Sequence, residues 1–184
     1  FDERLGFSMG QRKASDIETL MALVDGAVEV TSTKIEMDLR GVDYVVRLRG
    51  GAEINVDVKT REANSRRYWN RNWEHDLALE EWSVVGENGR HGKVGWTLSE
   101  ASATDMILYT FDPVDTTNVY LVGFQPLRIA FRRHFAEWKR RFGGLKYQSS
   151  NGGAWRSRAM FVPATAVLDG ITRISRAEYQ AALI

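Results

Sequence analysis

The chain has 184 residues, 43% hydrophobic and 27% charged, with 25 Lys and Arg against 24 Asp and Glu. At roughly 100–200 residues per domain this is one domain with enough chain to bury a core unaided. Cysteine is absent, which removes disulfides, thiolate zinc sites and cysteine nucleophiles. The three histidines, His75, His91 and His134, have neither helical nor finger spacing, so a bound metal must be held by carboxylates. That points to magnesium, manganese or calcium. No run of 18 apolar residues and no basic-then-apolar leader occurs, so the expectation is a soluble, cytoplasmic protein that does not enter a membrane.

Ser15-Asp16-Ile17-Glu18 has the form of a capping box. Ile17, Leu20, Met21 and Val24 follow at helical spacing, predicting a helix over 16–25 ended by Gly26. A strand over 27–30 and a polar edge segment over 34–39 come next. From Asp43 to Arg61, Tyr44, Val46 and Leu48 alternate with polar positions. After Gly50-Gly51-Ala52, so do Ile54, Val56 and Val58. This predicts a β-hairpin. Opposed residues share a face, so placing both apolar sets together requires paired numbers with an even sum. A three-residue loop at 50–52 meets that condition. It sets Arg49 opposite Glu53 and Asp43 opposite Lys59, with Asp57 one step away on the same face.

Beyond a polar, basic segment over 64–72, strands are predicted over 77–85 and 94–98, joined by a turn over 86–92. A helical turn over 99–104 leads to buried strands over 106–111 and 119–124. A helix follows with Pro126 as its first residue. Phe131, Phe135, Trp138 and Phe142 form its core-facing stripe, and Gly143-Gly144 closes it. A Gly/Ser/Asn-rich loop over 147–154, a strand over 160–168 and a second capping box at Ser175–Glu178 complete the chain. The fold class expected is α/β, a mixed central sheet flanked by helices. The expected organisation is a single domain over 1–184, with a core over about 15–142, a basic Gly/Ser-rich loop over 143–158 and a C-terminal strand and helix over 159–184.

Charge is distributed unevenly. Between Arg128 and Arg158 nine positive residues face only Glu137, so this stretch carries +8 and the remainder of the +1 chain −7. Lys59, Arg61, Arg66, Arg67 and Arg71 form a second cluster interleaved with Tyr68, Trp69 and Trp73. Such patches suit a polyanion even at low net charge. Aromatics among arginines can stack bases or wedge a duplex, and Trp69 and Trp155 are the better surface candidates. A solvated helix face is the plain alternative for either cluster.

The ordered arrangement of a helix bearing Glu18, a hairpin whose first strand starts at Asp43, and Asp57-Val58-Lys59 at the end of its second strand resembles the PD-(D/E)XK nuclease superfamily. Holliday junction resolvases, restriction endonucleases and phage nucleases belong to it. The resemblance spans about residues 15–124, with Val42 where the family's proline stands. It implies a restriction-endonuclease-like core and a metal-dependent DNA endonuclease, with structure-specific or phage-type enzymes the nearest kind. Asp43, Asp57 and the Val58 carbonyl would be metal ligands, with Mg2+ the cofactor and Mn2+ its substitute. Lys59 would orient water or offset developing negative charge.

Glu18 matches the family's helix glutamate, but a capping role accounts for it equally. Glu80 and Glu81 are open alternatives as a third acid. The implied partner is double-stranded or branched DNA, with homodimerisation by analogy. Arg61, Arg66, Arg67, Arg71, Arg132, Arg133, Arg140, Lys146, Arg156 and Arg158 are the candidate phosphate contacts. Two other readings remain: a non-catalytic nucleic-acid-binding module in which Asp57 and Lys59 are a structural ion pair, and an RNA-cleaving nuclease.

Overall fold

The computed structural model describes residues 14–62, 75–85, 91–112, 119–149 and 156–181. Helix α1 (Ala14–Leu23) leads to strand β1 (Ala27–Ser32), a one-turn helix α2 (Ile35–Asp38), and strands β2 (Tyr44–Leu48) and β3 (Glu53–Glu62). Strands β4 (Asp76–Val85) and β5 (His91–Val94), a 3-10 turn (Trp96–Leu98), and strands β6 (Met106–Asp112) and β7 (Tyr120–Gly123) follow. Helix α3 (Phe124–Arg141), strands β8 (Leu145–Ser149) and β9 (Arg156–Pro163), and helices α4 (Ala164–Thr172) and α5 (Arg176–Ala181) end the described chain.

Five strands form a mixed sheet in the order β1-β2-β3-β6-β7, in which only β3 and β6 run parallel. A parallel pair needs a crossover of a dozen residues or more. Here the long connection contributes β4 and β5 to a second, antiparallel sheet, ordered β5-β4-β9-β8. The expected α/β architecture, a mixed sheet flanked by helices, is present, with this second sheet added to it.

Two apolar clusters lie on the two sides of the mixed sheet. On one side, Leu20 of α1 and Val24 just beyond it pack with Tyr44, Val46, Val56 and Leu108. On the other, Ile107, Tyr109 and Phe111 join Leu77 and Leu79 of β4, Met160 and Val162 of β9, and Leu127, Phe131 and Trp138 of α3. Successive residues of β6 thus enter opposite clusters, as a central strand covered on both faces requires. Among the described residues no helix is long and apolar enough to cross a membrane.

The hairpin forms with a three-residue loop, centred one residue earlier than expected, so that each strand partner shifts by two. Tyr44 opposes Val56 and Arg47 opposes Glu53, so pairs sum to 100 and the face assignment survives. The loop is Arg49-Gly50-Gly51, closed by Leu48 N–H to the Ala52 carbonyl at 2.8 Å. Gly51 has φ +83°, the left-handed third position that a three-residue hairpin loop demands. One step beyond Tyr44 and Val56, Asp43 therefore falls across from Asp57 rather than Lys59. Arg47 bridges to Glu29, its partner on β1.

Other boundaries differ as well. The polar edge segment expected over 34–39 contains the helix α2, and 94–98 are mostly the 3-10 turn. Residues 99–104 form no helix. Helix α3 starts at Phe124, placing Pro126 third. Leu145–Ser149 pairs with β9 as a strand where a loop was expected, and the helix α4 replaces the end of the strand predicted over 160–168. The capping box at Ser175 is present, with Glu178 accepting from Ser175 N–H at 2.8 Å and donating its own N–H to Ser175 Oγ at 3.2 Å. That at Ser15 is not, since α1 begins one residue before it.

Candidate active site

Asp43 reaches its position through local backbone geometry. After α2 the chain reverses, with Gly41 N–H bonded to Asp38 O at 2.9 Å and Val42 N–H to Met37 O at 3.0 Å. Gly41 has φ +77°, and a Cβ there would stand 3.0 Å from Ser102 Oγ and 3.9 Å from Asp57 Oδ2. Only glycine serves both demands. Asp43 is then held from both sides: its carbonyl accepts from Thr33 N–H at 2.9 Å and its N–H donates to Val56 O at 2.9 Å.

The Asp43 side chain accepts a hydrogen bond from Val58 N–H at 2.8 Å. Asp57 lies on β3 between β2 and β6, on the face of the mixed sheet that carries Ile107 and Tyr109. Both carboxylates are buried, at 7% and 5% exposure. Lys59, two residues on and therefore on the same face, donates from Nζ to Asp57 Oδ1 at 2.6 Å. Its ammonium sits 5.6 Å from the centre of the Trp96 ring. Asp43, Asp57 and Lys59 are thus brought together, as the hairpin alternation requires.

The charges are unequally shared. Burial, reinforced by the negative charge of Asp43, pushes the Asp57 carboxyl up to about 7 against the pull of Lys59. Burial acts on Asp43 in the same sense. The Lys59 ammonium, the Val58 N–H and hydrogen bonding with Asp38 and Asp57 outweigh it and hold Asp43 below the usual carboxylate range. Burial would lower Lys59, but the charges of Asp57, Asp43 and Glu80 raise it above its ordinary value. Without a cation, the proton below about pH 7 therefore resides on Asp57 while Asp43 stays ionised, burial being the main cause and the neighbouring like charge adding to it.

Glu80 of β4 is the acid that approaches this group. It is buried, and its Oε2 accepts from Ser83 Oγ at 2.6 Å and from Trp96 N–H at 3.4 Å. Gly95 makes that approach feasible, because a Cβ there would lie 2.2 Å from the Glu80 carbonyl oxygen. Glu81 turns elsewhere, to Arg158 Nε at 2.7 Å.

Glu18 is not brought to the pair. It is exposed on α1, which packs on the Tyr44 face of the sheet, opposite Asp57. The buried acid of α1 is Asp16, which accepts from Tyr44 Oη at 3.2 Å.

Arg61 departs from its expected role as a phosphate contact. It is 4% exposed, bridged to Asp76 and stacked 4.6 Å from the Phe161 ring. A guanidinium at an odd position of β3 faces inward with Asp57 and Lys59, and it joins the two sheets. Arg132 pairs with Glu100 at 3.0 Å and Arg133 with Glu178 at 2.8 Å. Arg140 is exposed, and Lys146 lies on β8. Arg156 covers the Tyr147 ring at 5.0 Å. Arg66, Arg67 and Arg71, with Trp69 and Trp155, lie outside the described residues.

Sequence reasoning missed Asp38 and Trp96 as neighbours of the site. Asp38 stands five residues before Asp43 and carried a signal only in its closeness along the chain. Trp96 carried none, because it arrives through the second sheet. Among the described residues, no three His, Asp or Glu side chains converge as a ready cation site. The donors that the geometry brings together are the two aspartates, with the Val58 N–H bonded to Asp43. No family model, curated protein or solved structure matches the chain.

Proposed function

We propose that this protein is a divalent-metal-dependent phosphodiesterase acting on nucleic acid, a DNA endonuclease of PD-(D/E)XK type with a branched or otherwise structured substrate. The observation that supports it is the juxtaposition of two buried carboxylates on neighbouring strands with an ammonium 2.6 Å from one of them. Phosphodiester hydrolysis needs negative charge stabilised on the phosphate and an acidified attacking water.

The residues fit a hard divalent cation. Burial, with the charge of Asp43 added, keeps a proton on Asp57 up to about 7 despite Lys59, and a bound cation would displace that proton. Asp43 and Asp57 would hold Mg2+ or Mn2+, with the Val58 carbonyl as a further donor. Two protein carboxylates leave coordination positions for water and phosphate. The cation supplies Lewis acidity. Asp57 keeps Lys59 aligned, and the Lys59 ammonium meets charge developing on the phosphate oxygens.

The test is cleavage of supercoiled plasmid, a four-way junction and an RNA hairpin in parallel, each with Mg2+, Mn2+ or EDTA. Wild type and Asp57→Asn are purified identically. Cleavage requiring both metal and Asp57 is the expected result, and the preferred polymer assigns the substrate. Salt-sensitive DNA binding with no cleavage under any metal would replace the enzyme by a binding module in which Asp57 and Lys59 are a structural pair.

A further inference from the structure

The second sheet carries a transverse row of planar and cationic side chains. Cross-strand partners in an antiparallel sheet share a face. Tyr147 of β8 opposes Arg158 of β9, Arg158 opposes Trp82 of β4, and Trp82 opposes Val94 of β5. The row therefore crosses all four strands. Its ends are open to solvent, with Tyr147 52% and Val94 42% exposed.

Arg158 is fixed in the middle by Glu81. On the next rung, Arg156 lays its guanidinium 5.0 Å from the Tyr147 ring centre. At a strand spacing of about 4.8 Å, the Tyr147 and Trp82 positions stand roughly 10 Å apart with a guanidinium between them. Charge complements this geometry. β8 and β9 contribute Lys146, Arg156 and Arg158 and no acid.

We propose that the row Tyr147–Arg158–Trp82, with Arg156 beside it, binds an unpaired stretch of polynucleotide. Tyr147 offers a base a stacking surface, the half-buried Arg158 and Trp82 form the floor beside it, and the exposed Arg156 meets the backbone phosphate. A duplex is disfavoured, since its bases already stack on one another and present only edges and phosphates. The binding stands independently of the nuclease reading.

The experiment is fluorescence anisotropy with the full chain in EDTA. The probes are labelled oligothymidylate, an abasic oligonucleotide of equal length and charge, and a duplex, titrated at 50–300 mM salt. Oligothymidylate is expected to bind about tenfold more tightly than the abasic strand. Tyr147→Ala erases that preference and Tyr147→Phe retains it. Arg156→Ala keeps the preference while lowering the salt slope by about 0.7.

Equal affinity for base-bearing and abasic strands, duplex binding as tight as single-strand binding, or an unaltered preference in Tyr147→Ala would each overturn the proposal. Circular dichroism verifies that the variants fold. Metal-dependent cleavage without base preference would retain the nuclease and lose this surface. Base preference without cleavage would do the reverse.

Discussion

The buried proton on Asp57 makes the stability of the metal-free protein depend on pH in a direction that can be worked out. Its carboxyl titrates near 7 in the folded chain against an ordinary 3.8, a difference of about 3 units or on the order of 4 kcal/mol. The folded state binds the proton more tightly than the unfolded state. This contribution is therefore fully present below pH 3.8, declines as pH rises, and is lost above about 7. Between pH 5 and 7 wild type should lose roughly 2–3 kcal/mol relative to Asp57→Asn, whose neutral amide does not titrate. For a chain of this size that is a fall in Tm of the order of 5–10 °C.

Urea denaturation in EDTA at half-unit steps from pH 5 to 8.5, wild type against Asp57→Asn, reads the difference directly. Addition of Mg2+ should restore wild type alone. Its apparent affinity should rise about tenfold per pH unit below 7 and level off above, because the cation competes with the proton. A wild-type-minus-variant difference that stays flat across the range would refute the account of the aspartate pair.

Lys59→Met should lower cleavage by about 10²–10³-fold in single-turnover assays while DNA binding in EDTA holds within a few-fold. Glu80→Gln should reduce cleavage and Glu18→Ala should leave it within about twofold; the reverse order would reinstate the helix glutamate at the site. Arg61→Ala should cost about 3 kcal/mol in urea denaturation, since it strands Asp76 at the junction of the sheets, with the salt slope of DNA binding unchanged. Gly95→Ala should destabilise the fold and increase solvent quenching of Trp96 fluorescence, because its Cβ overlaps the Glu80 carbonyl.

What could be read from the sequence was what short-range physics controls. Alternation with period two placed Asp43, Asp57 and Lys59 on one face of a hairpin, because burial of Tyr44, Val46, Ile54 and Val56 leaves the intervening positions no other side. Ser175 and Glu178 cap a helix through bonds spanning three residues. The stripe from Phe131 to Phe142 needed only the helical repeat.

The tertiary structure decided matters that depend on residues distant in sequence. A left-handed glycine at 51 rather than a loop centred one residue later shifted the hairpin by two and set Asp43 against Asp57. The division of the strands into two sheets follows from pairings such as Val56 with Met106 and Ala78 with Phe161, for which no local pattern exists. That division brought Glu80 and Trp96 to Lys59 and took Arg61 out of solvent. Side-chain charge alone could not indicate this, since a charged residue is exposed or buried according to whether a partner such as Asp76 is delivered to it by another strand.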